Sequence, residues 1–374
     1  MFLFKKIQVG GFLTSKIGNK INITISGSSH SEMMEAVLIG IPSGEKIDTA
    51  YIQKQMSRRA PGQDSTATSR KEPDTAEILS GIENGVTTGG EIRIVIKNTN
   101  TKSSDYDNLK YTPRPSHADY PAFVKYNGQA DMRGSGHFSG RMTAPLTALG
   151  AVCRQVLKNR GIHIGGHVFN IGDRFDIAFD PVLVNEQTLD SLSEKYFATL
   201  SEDAQTDMRM VIEDAKKDGD SIGGAVEVAV TGMPVGIGNH MFGGVENIIS
   251  TLIFGVPAVK GVSFGAGFDF SFLRGSEAND AYYYEKERVL TATNNCGGIA
   301  GGMTTGMPII VKAAIKPTPT VFLPQNTVNL KTKENVLITA KGRHDPCIVP
   351  RALPAIEAAV AVAITMLLAE DDAL

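Results

Sequence analysis

The segment from Gly85 to Ile92, GVTTGGEI, recurs later in the chain as GMTTGMPI, from Gly302 to Ile309. A second pair of segments, GIPSG from Gly40 to Gly44 and GMPVG from Gly232 to Gly236, keeps the same order. The offsets are 217 residues for the first pair and 192 for the second. Chance similarity in a glycine-rich chain is one interpretation. The other is a duplication, in which two similar halves share one core and form a single pseudo-symmetric domain.

Hydrophobic periodicity around these segments predicts both strands and helices. Ile21, Ile23 and Ile25 alternate with polar residues, which predicts a strand that ends at Gly27. The apolar run TAPLTALGAVCRQVLKNRG predicts a helix that Gly161 closes. The other predicted elements are a helix over 49–60, ended by Pro61 and Gly62, a strand over 89–100, and a polar helical insertion or connection over 182–218.

The composition is that of an ordinary globular protein. The chain has 374 residues, is 42% hydrophobic and carries a formal net charge of −3, which does not suggest a nucleic-acid partner. Length alone allows two or three domains. Three scattered cysteines suit a reducing, cytoplasmic compartment, and the first residues lack the order of a secretory signal. The most apolar segment, over 352–370, contains glutamates and predicts a buried helix rather than a membrane span.

A short proline-rich stretch, RPSHADYPAF, begins at Arg114 and places a histidine three residues later. Pro113 and Pro115 stiffen the backbone on both sides of Arg114 and disfavour a helix there. His117 is therefore expected on a loop, where its ring can face a ligand. The alternative for this stretch by itself is a surface turn with a solvated histidine.

Cations gather on several glycine-rich or proline-rich loops, which are SRRAPGQ, ADMRGSGHFSGRMTA, KPTPT and KGRHDPC. Guanidinium groups match phosphate and carboxylate oxygens, and glycine lets backbone N–H groups approach an anion. Each loop alone could be a solvated turn. Together they indicate an enzyme that acts on a small polyanionic molecule.

Named motifs of other enzyme classes are absent from the sequence. GIGNHMFGG lacks the spacing of G-x-G-x-x-G, and no phosphate-binding G-x-x-x-x-G-K-[ST] motif occurs. His163 and His167 could imitate a metal-binding pair, but Gly165 and Gly166 between them argue against the helix that would align the rings. His30, His117 and His344 lie beside glycine, proline or cations and are candidate general acids.

The order of longer motifs resembles the chorismate synthase family from one end of the chain to the other. The first half contains GSSHSEMMEAVLIGIPSG, RRAPGQ, SRKEPDTAEILSGIENGVTTGGEI, RPSHADY and RGSGHFSGRMTA. The second half contains DSIGGAVEV, PAVKGVSFGAGF, GSEAND, TNNCGGIAGGMTTGMPI, KPTPTV and KGRHDPCIVPRA. So many motifs in one order are specific to this family.

The resemblance implies a fold, a reaction and partners. The fold is α+β, a β–α–β sandwich with helices between antiparallel sheets, and the whole chain of 1–374 would be one such domain. The reaction is the anti-1,4 elimination of phosphate from 5-enolpyruvylshikimate 3-phosphate, which gives chorismate and requires reduced FMN. The resemblance also implies a homotetramer. Because no nicotinamide-binding domain is visible in the sequence, we expect an external flavin reductase to reduce the FMN.

Four residues match the central positions of the family's active site. Arg114 matches an arginine that holds the substrate, and His117 matches a histidine that stabilises the anionic reduced flavin near N1. His30 matches the histidine expected to protonate the departing phosphate. Asp345 matches the aspartate near flavin N5, which is expected to help relay the proton from carbon 6.

Other residues match contacts to substrate or cofactor, and no metal site is implied. The substrate-binding residues are Arg58, Arg59, Arg114 and Arg141. The residues implied to contact FMN are His137, Phe138, Ser139, Ala258, Gly301, Lys316, Pro317, Thr318, Pro319, Thr320 and Arg343.

The sequence departs from the family pattern at several positions. Two family acids are replaced by Ser28 and Met142, two family arginines by Ser65 and His137, and a glycine by Ser31. Paired losses of acids and cations partly compensate in charge, which favours an active but divergent enzyme. The alternatives are a paralogue that binds flavin or a phosphorylated ligand without turnover, and a metal-dependent hydrolase using His30, His117 and Asp345.

Overall fold

Two five-stranded antiparallel sheets form the outer layers of this computed structural model, which describes residues 13–64, 66–67, 72–98, 111–129, 131–339 and 345–374. The first sheet has the order β1-β2-β3-β7-β4 and the second the order β11-β16-β10-β8-β9. The strands of the first half are β1 (Thr14–Gly18), β2 (Asn22–Gly27), β3 (Met33–Ile39), β4 (Glu77–Ser80), β5 (Ile82–Glu83), β6 (Val86–Thr87) and β7 (Ile92–Lys97). Those of the second half are β8 (His163–Ile171), β9 (Arg174–Phe175), β10 (Gly224–Thr231), β11 (Val259–Phe264), β12 (Tyr282–Glu285), β13 (Arg288–Thr291), β14 (Ile299–Ala300), β15 (Met303–Thr304), β16 (Ile309–Ile315), β17 (Gln325–Asn329) and β18 (Glu334–Ile338).

The helices lie between the two sheets or flank them. They are α1 (Thr49–Arg59), α2 (Asp119–Lys125), α3 (Thr143–Lys158), α4 (Glu186–Leu192), α5 (Glu202–Lys217), α6 (Val245–Phe254), α7 (Gly275–Ala278) and α8 (Val349–Glu370). Helix α3 packs on β3, β7 and α1, whereas α8 packs on β8, β10 and α6. The two long helices also pack on each other, so the predicted α+β sandwich with helices between antiparallel sheets is confirmed.

The strand pattern explains which face of the first sheet meets the helices. Met34, Ala36 and Leu38 are buried on β3, and Ile92 and its alternate neighbours are buried on β7. Alternating residues of a strand point to opposite faces, so these side chains form one apolar surface. The predicted strand ending at Gly27 and the predicted strand within 89–100 are both present, the second as β7.

Helices α3 and α8 are apolar on nearly every side, as core helices must be. Helix α8 is long and apolar enough to cross a membrane, yet its apolar window is entirely buried inside the protein, as the sequence predicts for 352–370. The helices meet closely where Gly150 faces Ala358. A Cβ atom at Gly150 would lie 2.2 Å from the Cβ of Ala358, so only glycine fits this crossing.

The repeated segments make the same hydrogen bonds in both halves. Thr87 Oγ1 donates to the carbonyl of Pro42 at 2.6 Å, and Thr304 Oγ1 donates to that of Pro234 at 2.6 Å. The backbone N–H of Gly44 donates to the carbonyl of Thr87 at 2.9 Å, and that of Gly236 donates to the carbonyl of Thr304 at 2.8 Å. The next N–H group in each copy donates to the hydroxyl of the same threonine. The isolated β-bridge between residues 46 and 86 has a counterpart between residues 238 and 303, again at offsets of 192 and 217 residues.

Strand pairing extends the equivalence to whole elements. Leu38 pairs with Ile92 across β3 and β7, and Val230 pairs with Ile309 across β10 and β16. The order β2, β3, α1, β4, β7, α3 in the first half matches β8, β10, α6, β11, β16, α8 in the second. The repetition in the sequence therefore marks two structurally equivalent halves.

The polar stretch over 182–218 contains α4 and α5 and connects β9 to β10. Its outer face is solvated, but Leu189 and Leu192 on α4 and Met208 and Ile212 on α5 are buried. These residues join the same hydrophobic core as the residues of both sheets. The connection therefore contributes apolar packing against β8 and β9.

Candidate functional site

A cavity of about 700 Å³ opens where α3 and α8 begin. The end of α1, the start of α2 and the loop after α6 contribute to its wall, as does the loop after β16. Because α1 and α6 are equivalent helices of the two halves, as are α3 and α8, both halves supply the same elements to one cavity. This volume lies within the range of about 300–1,000 Å³ typical of small-molecule sites.

Both long helices begin at the cavity wall. Thr143 and Leu146 at the start of α3 line the cavity, as do Arg351 and Ala352 at the start of α8. The dipole of a helix is positive at its N-terminus and stabilises a negative charge nearby. Two such ends at one cavity favour a negatively charged ligand.

The side chains of the cavity add positive charge. Among the described residues that line it, six are cations and two are carboxylic acids. The cations are Arg59, Arg114, Arg141, Lys260, Lys316 and Arg351, and the acids are Glu72 and Asp345. The excess of cations agrees with the polyanionic ligand that the sequence predicts.

Arg114 and His117 share a carboxylate on the first turn of α2. Arg114 Nε and Nη2 lie 2.7 and 2.9 Å from the two oxygens of Asp119. His117 Nδ1 lies 2.7 Å from Asp119 Oδ1 and donates to it, which leaves Nε2 as the second ring nitrogen. The proline-flanked loop therefore directs both side chains into the cavity, and the alternative of a solvated surface turn is excluded.

The environment of His117 decides its protonation state. Burial lowers the pKa of His117, and the positive charge of Arg114 adds to this effect, while the hydrogen bond to Asp119 opposes it. The ring is consequently neutral at pH 7 in the ligand-free protein. Although burial would raise the pKa of Asp119, its bonds to Arg114 and His117 hold that pKa well below its usual range.

Arg59 and Arg141 belong to a second buried charge cluster with Glu72 and Asp74. Arg59 Nη2 lies 3.3 Å from Asp74, and Arg141 Nη1 lies 2.8 Å from Glu72 and also pairs with Asp74. Burial lowers the pKa of Arg59 to about 10, which is still far above neutrality. Arg141 Nη2 is buried without a hydrogen-bond partner among the described residues, so one donor remains available to a ligand.

His30 lies behind the cavity wall that Gly134 forms. A Cβ atom at Gly134 would lie 2.1 Å from His30 Cε1, so the imidazole touches the backbone of the wall. His30 Nδ1 lies 3.2 Å from the hydroxyl of Ser29, which donates to the carbonyl of Gly134 at 2.7 Å. The ring therefore lies next to the cavity although His30 is not one of its lining residues.

Both ring nitrogens of His137 are engaged within the protein. Nδ1 donates to the carbonyl of Gly27 at 2.9 Å, and Nε2 lies 2.9 Å from the hydroxyl of Ser15. This departure from the family arginine thus provides a ring that joins β1 and β2 to the cavity wall. Phe138 and Ser139, which follow it, also line the cavity.

Lys316 binds two strained backbone residues of the wall. Ser116 and Ala258 adopt φ values of 56° and 74°, which residues with a side chain rarely do. The amine of Lys316 donates to the carbonyl of Ser116 at 2.6 Å, and its backbone N–H donates to that of Ala258 at 3.0 Å. Burial and the nearby Lys260 lower the pKa of Lys316.

The remaining residues of the KPTPT loop hold its neighbours in place. Thr318 Oγ1 donates to the carbonyl of Asp345 at 2.9 Å, and Thr320 Oγ1 lies 3.4 Å from Arg114 Nη1. Thr318, Pro319 and Thr320 line the cavity, whereas Pro317 does not. One loop therefore joins Asp345 and Arg114.

Four of the described residues predicted for the site do not line the cavity in this chain: His30, Pro317, Arg58 and Gly301. Arg58 is buried against Glu357, on a different face of α1 from Arg59. Gly301 lies in the β14–β15 turn, beside the first residue of α6, whereas the last residue of that helix lines the cavity. A helix of this length separates the two places by about 15 Å. Arg343, His344 and Ser65 lie outside the described residues.

The structure adds residues that sequence reasoning did not assign. Arg351, Lys260 and Glu72 line the cavity, and their motifs VPRA, AVKG and RKEP were noted only as parts of the family resemblance. The one signal in the sequence is that these motifs contain charged residues. Neither hydrophobic periodicity nor the spacing within a motif tells which charged residue of that motif faces a ligand.

The two histidines considered as a metal pair lie on β8, not on a helix. His163 contacts Asp190 and Glu186, and His167 lies between Asp176 and Glu227. No group of three or more His, Cys, Asp or Glu side chains suited to a metal ion occurs among the described residues.

Comparison with known proteins agrees with this geometry. The chorismate synthase family model matches residues 21–368. The chain is 43% identical to a chorismate synthase of Pyrococcus abyssi, covering 92% of this chain and 94% of that relative. It is 38% identical to one from Aeropyrum pernix, covering 96% and 93%. A crystal structure of chorismate synthase superposes with a TM-score of 0.75 at 28% identity, covering 95% of this chain and 93% of that one. By family model, sequence identity and fold, the chain belongs to the chorismate synthase family.

Proposed function

We propose that this lyase converts 5-enolpyruvylshikimate 3-phosphate to chorismate and phosphate by anti-1,4 elimination in the presence of reduced FMN. The observation that carries the proposal is the cationic cavity at which α3 and α8 both begin. Substrate and flavin together bring two phosphates and two carboxylates, and burying such charges requires cations and hydrogen-bond donors.

The lining of the cavity fits a flavin as well as the substrate. Phe138, Leu146, Phe254, Val256 and Ile348 provide apolar surface suited to an aromatic ring system. The buried Nη2 of Arg141 is an unpartnered donor for an anionic group. Within this chain, the candidates to hold FMN are the segment 137–139, Ala258 and the loop 316–320.

Each central residue has a proposed role that its position supports. Arg114, Arg59 and Arg141 bind the anionic groups of the substrate. A reduced flavin held by the segment 137–139, Ala258 and the loop 316–320 would supply electron density for the elimination. His30 gives a proton to the departing phosphate, and Asp345 helps relay the proton from carbon 6.

His117 supports a negative charge near flavin N1 in this proposal. Its neutral state without ligand, with Nδ1 donating to Asp119, leaves Nε2 able to take up a proton when an anion binds beside it. We do not give Arg58 a substrate role, because its guanidinium is fully engaged with Glu357 and Gln55 away from the cavity.

Further proposals concern assembly and context. We propose a homotetramer, since large exposed apolar side chains are concentrated in one part of the chain, including Phe242, Phe268, Phe272 and Tyr284. If Gly301 contacts FMN, its position beside the start of α6 means that the contact comes from a second chain. We also propose one domain over 1–374, because both halves share a core, as well as cytoplasmic location and reduction of FMN by a separate reductase.

An anaerobic assay tests the proposed reaction. Purified protein with reduced FMN and 5-enolpyruvylshikimate 3-phosphate should release phosphate and chorismate in equal amounts, and oxidised FMN should bind more tightly when substrate is present. Ligand binding without product release would reject the reaction and leave only a binding function. Activity that needs a metal and no flavin would reject the flavin-dependent elimination.

A further inference from the structure

Arg351 lies in the first turn of α8 and lines the cavity beside Asp345. Its Nη1 forms an ion pair with Asp345 Oδ2, and its Nε donates to the carbonyl of Arg59 at 3.2 Å. The side chains of Arg351 and Asp345 are 17% and 12% exposed, so water screens the pair only weakly. Arg351 therefore connects the acid to both α8 and α1.

Three different elements determine where the Asp345 carboxylate lies. The backbone carbonyl of Asp345 accepts a hydrogen bond from Thr318, which fixes its main chain to the loop after β16. Its carboxylate is held by Arg351, and Arg351 is itself fixed by a rigid helix and by the end of α1. A loop residue thereby acquires the precision of a helical one.

We propose that Arg351 is a positioning residue that holds the Asp345 carboxylate in one orientation on the cavity wall. The proposal rests on the proposed function for the proton relay that Asp345 serves. Arg351 acts on the reaction through Asp345 rather than by touching the substrate.

The charges around the pair support this assignment. The positive charge of Arg351 lowers the pKa of the neighbouring Arg59 because the two cations repel each other. The charge of Arg351 therefore destabilises the folded protein unless an acid neutralises it. Tyr196 and Cys347 also face the pair; burial is the main cause that raises the pKa of both groups, so both are neutral near pH 7. Among the described residues, the ion pair seen at the Asp345 carboxylate is the one with Arg351.

A double-mutant cycle on turnover tests the proposal. Arg351→Met should lower kcat about 100-fold, the typical cost of a roughly 1 Å misplacement of a reacting group, with FMN affinity changed by less than threefold. Arg351→Lys should restore part of the loss, because an ammonium keeps the charge without the planar fork. In the Asp345→Asn background, Arg351→Met should cause little additional loss.

The split between kcat and KM gives a readout that a merely structural role would not change. Because Arg351 acts through Asp345, Arg351→Met should lower kcat and leave the KM for the substrate within about threefold of the wild type. Arg160→Met is the matched control. Arg160 pairs with Glu45 at 2.7 Å with exposures of 24% and 14%, but it does not line the cavity. Its substitution should leave both kcat and KM unchanged.

Urea unfolding separates this proposal from the proposed function, since it needs neither flavin nor substrate. The same two substitutions should show coupling in the unfolding midpoint at pH 7. If the wild-type protein makes no chorismate, the proposed function fails while this cycle still decides whether Arg351 holds Asp345. Absence of coupling, equal losses of kcat in both backgrounds, or a raised KM in place of a lowered kcat would each overturn the proposal.

Discussion

Arg58 and Arg59 are adjacent in the sequence, yet their guanidinium groups end in different places. Successive residues of an α-helix point about 100° apart, so one side chain faces the core while the next faces the cavity. Arg58 binds Glu357, whereas Arg59 binds Asp74 and lines the cavity. The sequence shows that two arginines end this helix, but the direction of each depends on which helix packs against it.

Gly134 offers a test of the role of His30. Gly134→Ala would force a Cβ atom to within 2.1 Å of His30 Cε1 at a φ of 57°, so we expect the imidazole to be displaced. Loss of a general acid typically costs about 10²–10⁴-fold, and kcat measured with reduced FMN should fall into that range. Gly161→Ala is the control, because Gly161 has a φ of 74° and no atom within 4 Å of the added Cβ. An unchanged kcat in folded Gly134→Ala would argue against a catalytic role for His30.

Ligand binding should change the protonation of His117. Its pKa is lowered in the free protein, so the ring is neutral at pH 7, and an anionic ligand beside it will raise the pKa. We therefore expect proton uptake when the phosphorylated substrate binds with FMN above pH 6.5, measured by calorimetry in buffers of different ionisation enthalpy. The uptake should disappear in His117→Asn; the same uptake in that variant would mean that another group takes the proton.

At the scale of elements, a buried ion network joins α1, α3, α8 and β8. Glu357, fully buried on α8, binds Arg58 at 2.5 Å and Arg154 at 3.1 Å, and it accepts the N–H of Gly166 at 2.9 Å. The apolar segment around Glu357 predicts a buried helix, but the sequence does not identify the partners of this acid. Those partners lie on α1 and α3, which only the packing of the helices brings together.

Glu357→Gln should strongly destabilise the protein. The change leaves two buried arginines without their acid, and breaking a buried ion pair typically costs about 3–5 kcal/mol. Urea unfolding at pH 7 measures the loss. Glu77→Gln is the control, because the Glu77–Lys97 pair is exposed and such pairs contribute about 0–1 kcal/mol. Equal losses in the two variants would mean that the network does not stabilise the helix layer.

At the scale of the whole molecule, one cavity is built from both halves of a pseudo-symmetric fold. The halves supply equivalent helices, and α3 and α8 cross where Gly150 meets Ala358. Divergence of the two halves then distinguishes the walls: Arg59 ends α1, whereas the apolar Phe254 ends α6. At this equivalent position one half thus places a cation at the cavity and the other an aromatic side chain.

The stability of the whole chain should depend on His167 in alkaline solution. Burial alone would lower the pKa of His167, but its bonds to Asp176 and Glu227 outweigh this effect and raise the pKa above 6.5. Because protonated His167 is favoured in the folded state, it stabilises the protein. This stabilisation is complete below pH 6.5 and is lost as the pH rises through the pKa of His167 in the folded state.

The urea midpoint should thus fall between pH 6 and pH 9 in the wild-type protein, and His167→Gln should show a smaller fall. His240→Gln, which alters an exposed ring, should behave as the wild type. Parallel pH curves for His167→Gln and the wild type would refute the assignment.

The sequence by itself determined the family and several of the elements, and it left the duplication open beside chance similarity. Periodicity located β2, β7, α1 and α3, because alternation is a local property of the chain, whereas strand pairing in the structure showed that the repeated GVTT and GMTT segments are equivalent. The motifs also named several of the residues that line the cavity, including Arg114, His117 and Asp345.

Tertiary structure alone decided which of these residues act together. Arg351, in the first turn of α8, binds Asp345 in the preceding loop and the carbonyl of Arg59, which lies nearly 300 residues away along the chain. Arg58 instead binds Glu357. Ion pairs of this kind depend on distance and burial, which are set by how helices pack between the sheets and not by spacing along the chain.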